Sequence, residues 1–462
     1  MLGFFLAAIP AVQGPAELGS TLGAKVRELS SEKEISVGVR VETMDGKIIF
    51  DNEGEKAFVL ASNTKILTTA AALLELGSDF RWHTRLRLDG ATLRVVGEGD
   101  PSLRKLPESH PGDAFLDAAA RALDKKGVSS LEAIILDSRG IASPPRHPLW
   151  PEEQWQESYC APVAALVVEG GCLEVISGGG RAWIGPSLDP PIPVDFRHTG
   201  KGKPLSAWWG SKGLVVRGDL HARDSLRLAV RDPVDIFGRW LKAGLKMRGI
   251  PCERVVLAEA DDGQENGELI LSHPSAWKLA DAVALANLES DNFTAELLLL
   301  ALGRMGGGPG TTEAGIAQTE RILEPLGLLP ARVRQTDGSG LARSDSRPVN
   351  KAAPADLCAV LRGMAEHEEG RCFFRSLPVG GVQGRLAQRF KDPLFQPQRV
   401  HAKTGWIRGA SSLSGYLLAG DSEILVFSIV VNYVRDGTSR THNKRFQAFQ
   451  ESVLGAVLAS RG

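Results

Sequence analysis

Apolar and polar residues alternate from Ile35 to Phe50 around Asp45-Gly46, the two-residue period and turn pair of a β-hairpin. The alternation then stops. Ile66-Leu67-Thr68-Thr69-Ala70-Ala71-Ala72-Leu73-Leu74 is a run of small and apolar residues that predicts a buried helix ending near Gly77. A strand pattern returns over Arg81 to Val96, with Asp89-Gly90 as its turn. Residues 113–126 read as a helix, and 131–137, Leu-Glu-Ala-Ile-Ile-Leu-Asp, as a buried strand. From Trp150 to about Val230 short strands are broken by Gly/Pro clusters such as Ser177-Gly178-Gly179-Gly180. Asp232-Pro233 supplies an N-cap and first-turn pair for a helix running to about Arg248. Trp277 to Leu302 is helical with one break at Ser290-Asp291-Asn292. Strands around 399–405, 411–419 and 423–432, the last two joined at Gly420-Asp421, precede an amphipathic helix over roughly 443–459.

The strands near the two ends are expected to share one antiparallel sheet, with the 66–74 helix and the closing helix on its faces. The long stretch between them has room for one or two inserted domains, and 462 residues suit two to three domains in all. No fixed-period repeat is present. Hydrophobic content of 43% and charged content of 24% are ordinary globular values. The 54 basic and 55 acidic residues nearly cancel without a block of like charge, which argues against a nucleic-acid or polybasic membrane binder. Gly303 to Gly310 is glycine-rich, but no strand precedes it as a phosphate loop would need. The five cysteines show no metal-ligand spacing; Cys160 and Cys172 could face each other if the protein is exported. Met1 to Ala11 is apolar and too short to span a membrane; small Ala11 after Ile9 would suit signal peptidase, so residues 1–14 read as a short or truncated secretory signal, with a frayed apolar tail as the other reading.

Three short motifs carry the chemistry. Ser62 stands at the mouth of the apolar helix with Lys65 three residues on, a spacing that puts both side chains on one helical face. A serine hydroxyl is a poor nucleophile until a base takes its proton, and a desolvated lysine is such a base. The S-x-x-K pattern alone is weak: Ser30…Lys33, Ser102…Lys105 and Ser275…Lys278 also match. Ser290-Asp291-Asn292 offers a hydroxyl to relay a proton and an amide to hold a carbonyl. Lys403-Thr404-Gly405 ends a predicted strand, where a cation and a hydroxyl can bind a carboxylate. Its glycine is expected to leave the strand edge open for a peptide. His198-Thr199-Gly200 is a near-miss in a Gly/Lys-rich loop. All three motifs fall in the order of active-site-serine penicillin-recognising enzymes.

From about residue 20 to its end the chain resembles the class C low-molecular-mass penicillin-binding proteins, the D-alanyl-D-alanine carboxypeptidase/endopeptidase family. Further likeness lies in Gly97-Glu98-Gly99-Asp100-Pro101-Ser102-Leu103, Asp337-Gly338-Ser339-Gly340-Leu341-Ala342-Arg343, Leu377-Pro378-Val379-Gly380-Gly381 and Leu413-Ser414-Gly415-Tyr416. The resemblance implies an α/β (α+β) transpeptidase fold of the penicillin-binding/serine β-lactamase type, an antiparallel sheet flanked by helices and interrupted by inserted domains. The expected division is a catalytic domain over 20–80 and 265–462, a strand-rich insert over 81–105 and 146–264, and a small α/β insert over 106–145.

The resemblance also implies roles. Ser62 would be the nucleophile, Lys65 its base, and Ser290 the proton relay to the leaving amine, with Lys403 close by. Asn292 would hold the substrate amide and Thr404 the terminal carboxylate, while the N–H groups of Ser62 and Trp406 form the oxyanion hole. Asp137 and Arg343 match family positions that read the amine and the carboxylate of a diaminopimelate side chain. A strand-end turn former and a surface ion pair are the other readings of these two. No metal or cofactor is expected; the partners would be peptidoglycan stem peptides and, as covalent inhibitors, β-lactams, in an exported, periplasmic or cell-wall location. The chain departs from the family where Trp406 follows K-T-G in place of Thr or Ser, where Ala342 replaces a serine, and where Arg385 replaces a threonine. A β-lactamase of the same fold would need an extra deacylating base, and no E-x-x-L-N segment supplies one. A non-catalytic wall-binding protein would have no reason to keep the five-residue set Ser62, Lys65, Ser290, Asn292 and Lys403.

Overall fold

The computed structural model describes residues 15–105, 110–260, 262–263, 266–344, 347–396, 398–420, 423–434 and 440–461. The expected secretory segment over 1–14 and Asp421 of the Gly420-Asp421 turn lie outside them. The chain divides into two compact units: 1–74, 284–290 and 320–462 form the first, and 75–283 and 291–319 the second.

In the first unit five antiparallel strands lie in the order Val400–Ile407, Ala410–Leu418, Ile424–Tyr433, Ile35–Thr43, Ile48–Asn52. The first and last thirds of the chain therefore meet, with Val39 opposite Ile429 and Val41 opposite Phe427. The two-residue period decides what covers each face. Val37, Val39, Val41, Phe427, Ile429 and Val431 share a core with Leu18, Leu22 and Val26 of helix Pro15–Ser30 and with Phe446, Val453 and Val457 of helix Arg440–Ala459. Each such buried side chain contributes roughly 1.5–3 kcal/mol. Alternate residues meet helix Pro354–Glu366, where the Tyr416 hydroxyl donates to Leu361 O at 2.7 Å. The Ser62 helix, Thr64–Leu76, is buried from Thr64 to Leu73, its polar Lys65, Thr68 and Thr69 included.

The second unit differs from the expected division of the insert. Strands Cys252–Leu257, Leu131–Asp137, Thr92–Val96, His83–Asp89 and Glu268–Pro274 form one five-stranded sheet, in that order. Residues 81–105 thus belong with 106–145, not with a separate strand-rich body. The 92–96 and 131–137 strands pair in parallel, and parallel neighbours need a crossover, which helix Pro111–Asp124 provides. Helix Pro233–Met247 leads likewise into the parallel 252–257 strand, with Asp232 accepting from Val234 N and Asp235 N at 2.9 and 3.0 Å. Two three-stranded sheets, one of 172–178, 181–185 and 224–229 and one of 194–198, 206–209 and 214–218, complete the unit. Cys160 and Cys172 are both buried, and no disulfide joins them.

Candidate active site

Ser62 lies in a short 3-10 turn, Ala61–Asn63, that runs directly into the Thr64–Leu76 helix. Ala61 takes φ +49°, a left-handed conformation that non-glycine residues adopt at some cost in strain. The turn is tied from several sides: Thr64 Oγ1 donates to Ala61 O at 2.8 Å, Ser412 Oγ to Leu60 O at 2.6 Å, and Asn63 Nδ2 to Lys403 O at 2.9 Å. Lys65 is fully buried, and its Nζ reaches Ser62 Oγ at 3.2 Å and Ser339 O at 2.8 Å. Ser62 itself is half-buried, so the base is enclosed while the nucleophile remains reachable.

Ser339 belongs to the Asp337-Gly338-Ser339-Gly340 loop, which the sequence marks by resemblance alone. Asp337 is buried and accepts from Gly340 N, Leu341 N and Ala342 N at 2.6, 3.1 and 2.7 Å and from Asn350 Nδ2 at 3.1 Å. That fan of bonds makes Asp337 the organiser of a turn, as its place among turn residues suggests. It turns the carbonyls of Gly338 and Ser339 toward Thr68 and Lys65. Gly340, at φ +86°, passes so close that a Cβ would lie 2.0 Å from Ala61 O. Ser339 O as a partner of Lys65 is invisible to motif reading, because a backbone acceptor has no residue signature.

Lys403 is the second buried lysine. Its Nζ donates to Ser290 Oγ and Thr404 O, both at 2.9 Å. Burial pushes its ammonium well below the ordinary range, and the charges of Lys65 and Arg385 act in the same direction. The Lys403 strand, Val400–Ile407, is an edge of the sheet. Ala402 N–H leaves it outward to Pro378 O at 2.9 Å, so strand alternation directs the N–H groups of Thr404 and Trp406 outward as well. The Trp406 ring is 47% exposed. Gly405 serves close packing: a Cβ there would lie 2.2 Å from Ser412 Oγ and 2.6 Å from Leu60 O. The expected reason for this glycine, an open edge for a peptide, is replaced by a tighter one, since it lets the strand touch the serine turn.

The structure therefore brings Ser62, Lys65, Ser290, Lys403 and Thr404 into one unit, with the Nζ atoms of the two lysines each on a serine hydroxyl. Asn292 opens helix Asn292–Gly303 in the second unit, where its amide donates to Tyr159 O at 2.9 Å. Arg343 is half-buried and begins a two-residue strand pairing with Pro348. Asp137 requires a correction. Its side chain is fully buried, with Oδ1 accepting from Arg139 Nε at 2.9 Å and Oδ2 from Arg139 Nη2 at 2.6 Å and Arg94 Nη1 at 3.2 Å. A carboxylate shared by two guanidiniums is a structural anion and is not presented to a substrate amine. Sequence reading also missed Asn287, buried and donating to Ser376 Oγ at 2.8 Å, which anchors the helix that ends just before Ser290. Among the described residues no cluster of three or more His, Cys, Asp or Glu is arranged to hold a metal.

The D-alanyl-D-alanine carboxypeptidase of Actinomadura sp. (strain R39) is 28% identical over 459 residues, covering 90% of this chain and 81% of its own. A D-alanyl-D-alanine carboxypeptidase of Haemophilus influenzae is 24% identical, over 86% of this chain and 85% of its own. The crystal structure of penicillin binding protein 4 from Haemophilus influenzae superposes with a TM-score of 0.75 at 23% identity, covering 93% of this chain and 97% of that one. A predatory peptidoglycan endopeptidase from Bdellovibrio bacteriovorus shares the fold at a TM-score of 0.53 and 14% identity, over 91% of this chain and 93% of that one. The sequence profile of the D-Ala-D-Ala carboxypeptidase 3 (S13) family matches residues 22–453, and with nearly the whole chain so covered the protein belongs to that family.

Proposed function

We propose that Ser62 is the acyl acceptor of a DD-peptidase acting on peptidoglycan stem peptides. Family membership makes the chain a serine-type D-Ala-D-Ala peptidase of the penicillin-binding fold. The single observation carrying the residue assignment is the 3.2 Å contact between Lys65 Nζ and Ser62 Oγ, with both groups locked by the surrounding turn. Lys65 takes the hydroxyl proton as Oγ attacks the carbonyl carbon of the penultimate D-alanine. The N–H groups of Ser62 and Trp406 receive the developing oxyanion. Ser290, bonded to Lys403, passes the proton taken up by Lys65 on to the departing amine as the C–N bond breaks, and water then releases the acyl group. Asn292 holds the substrate amide, and Thr404 with Lys403 the terminal carboxylate. Arg343 is assigned to a carboxylate on the stem-peptide side chain.

β-Lactams enter the same route. Their ring amide opens onto Ser62, and the leaving amine stays tethered, so the adduct persists. The substrate is a cell-wall polymer, so the protein acts outside the cytoplasm; among the described residues no helix is long and apolar enough to cross a membrane. Ser62→Ala should abolish both labelling by a fluorescent penicillin and release of D-alanine, with an unchanged circular dichroism spectrum. A covalent adduct persisting in Ser62→Ala would assign the nucleophile to another serine and end this reading.

A further inference from the structure

Ser290 occupies a position where helices ordinarily end on glycine. Helix Leu279–Leu288 stops two residues earlier, Glu289 N–H still bonds back to Leu285 O at 3.2 Å, and Ser290 takes φ +59°. A left-handed residue just past the last turn is the common helix stop, and Gly fills it because a Cβ there is strained. Glycine has no hydroxyl. A side chain that must meet Lys403 from this position has to be held against its own backbone preference.

Arg385 supplies the hold. Its Nε and Nη2 both donate to Glu289 O, at 3.0 and 2.8 Å. That carbonyl is among those a helix leaves without an intrahelical partner, and a cation is favourable at this end of the helix dipole. The residue before it makes the approach possible. Gly384 sits at φ +61°, and a Cβ there would lie 2.9 Å from Leu288 O and 3.2 Å from Leu288 Cδ2. The Gly384-Arg385 pair is thus fitted against the end of the helix, while Ser290 Oγ meets Lys403 Nζ at 2.9 Å on the far side of the same turn. The Arg385 side chain is exposed, so it fills no core.

We propose that Arg385 is a positioning residue for Ser290: by clamping the Glu289 carbonyl it holds the left-handed turn that presents the relay hydroxyl to Lys403. It touches no reacting atom, and the inference rests on the reading of Ser290 as the proton relay. Where the resembling family carries threonine at this position, this chain has a forked cation that reaches the helix end.

Arg385→Gln and Arg385→Lys, made in the full chain, separate the possibilities. The readouts are the acylation rate with a chromogenic β-lactam, kcat and KM for D-alanine release from an acyl-D-Ala-D-Ala peptide, and Tm. Arg385→Gln should slow acylation and kcat by about tenfold, with KM changed by less than about twofold. Arg385→Lys, which keeps the charge and one donor, should recover part of the loss, and Tm should barely move in either variant. A fall in Tm with rates preserved would make Arg385 a fold element and overturn the proposal. A rise in KM with kcat preserved would make it a substrate-binding group and overturn it equally, as would unchanged rates. Mass mapping of the wild-type adduct keeps the two readings apart. An adduct on a residue other than Ser62 sinks both, whereas an adduct on Ser62 with unaltered Arg385→Gln rates sinks this one alone.

Discussion

Asp137 tests how far a single residue can be read from its place in a chain. Its position at the end of the 131–137 strand is legible, and so is its match to an acidic family position. Its partners are not. Arg94 comes from the neighbouring strand, opposite Ile135, and Arg139 from two residues on, so only the parallel pairing brings three charges together. Burial alone would raise the Asp137 pKa, but the Arg139 hydrogen bonds and the charge of Arg94 outweigh it, and the net direction is down. A lowered folded pKa contributes stability above the unfolded carboxylate value and loses it as pH falls through the folded value. Asp137→Asn leaves two guanidiniums facing an amide and should cost about 3–5 kcal/mol of stability near neutral pH. Urea denaturation should show that gap narrowing as the buffer is taken below about pH 4. Deacylation and acylation of peptides with and without a side-chain amine should change alike. A selective loss on the amine-bearing peptide would restore Asp137 to the substrate. Ser62 and Lys65 were legible at this scale because a spacing of three is itself their geometry, whereas Ser290 and Lys403 stand 113 residues apart and only the fold joins them.

At the scale of elements, the site depends on three segments approaching more closely than side chains with a Cβ permit. The Lys403 strand touches the serine turn at Gly405, and the 337–340 loop touches it at Gly340. Strands 252–257 and 268–274 went unread, whereas those of the first unit's five-stranded sheet were predicted to within about two residues, since their period and turn pairs are local. Helices Pro15–Ser30, Thr312–Leu323, Pro354–Glu366 and Gly370–Ser376 were not. The first adjoins a leader-like apolar segment that masks its Leu18, Leu22, Val26 spacing. The third starts at Ala353, which has no capping side chain, and Asp356 instead reaches back to Ala353 N at 3.1 Å. Gly405→Ala probes the closest approach. The added methyl must push the strand off the turn, costing about 1–3 kcal/mol by overpacking. A shift near 1 Å at the reacting groups is worth roughly a hundredfold in rate. Acylation of Gly405→Ala by penicillin should therefore fall by about that factor while Tm drops only a few degrees. Wild-type acylation with a lowered Tm would show that the strand yields elsewhere.

The whole molecule is two units with separate cores. One gathers around Val39, Phe427 and Val453, the other around Leu93, Phe115, Ile134 and Phe237. That the first unit would be assembled from both ends of the chain was legible, because strands of matching period near each terminus need partners. How the insert divides was not, because parallel pairing joins strands tens of residues apart and leaves no periodic trace. The tryptophans make the units separately observable: of the nine in the chain, Trp406 alone falls in the first unit. Intrinsic fluorescence thus reports almost wholly on the second. Bodies with their own cores commonly unfold outside a single two-state transition. The penicilloyl group stays on Ser62 through unfolding, so it raises the first unit's stability only by the contacts it makes in the folded site. Calorimetry of the penicillin-acylated protein should show two transitions, one of them raised by several degrees over the free enzyme. The fluorescence midpoint of the Trp406→Phe protein, which then watches the second unit alone, should stay where it was. If that midpoint rises in step with the calorimetric one, the two units unfold as one cooperative body and the division into independent cores is wrong.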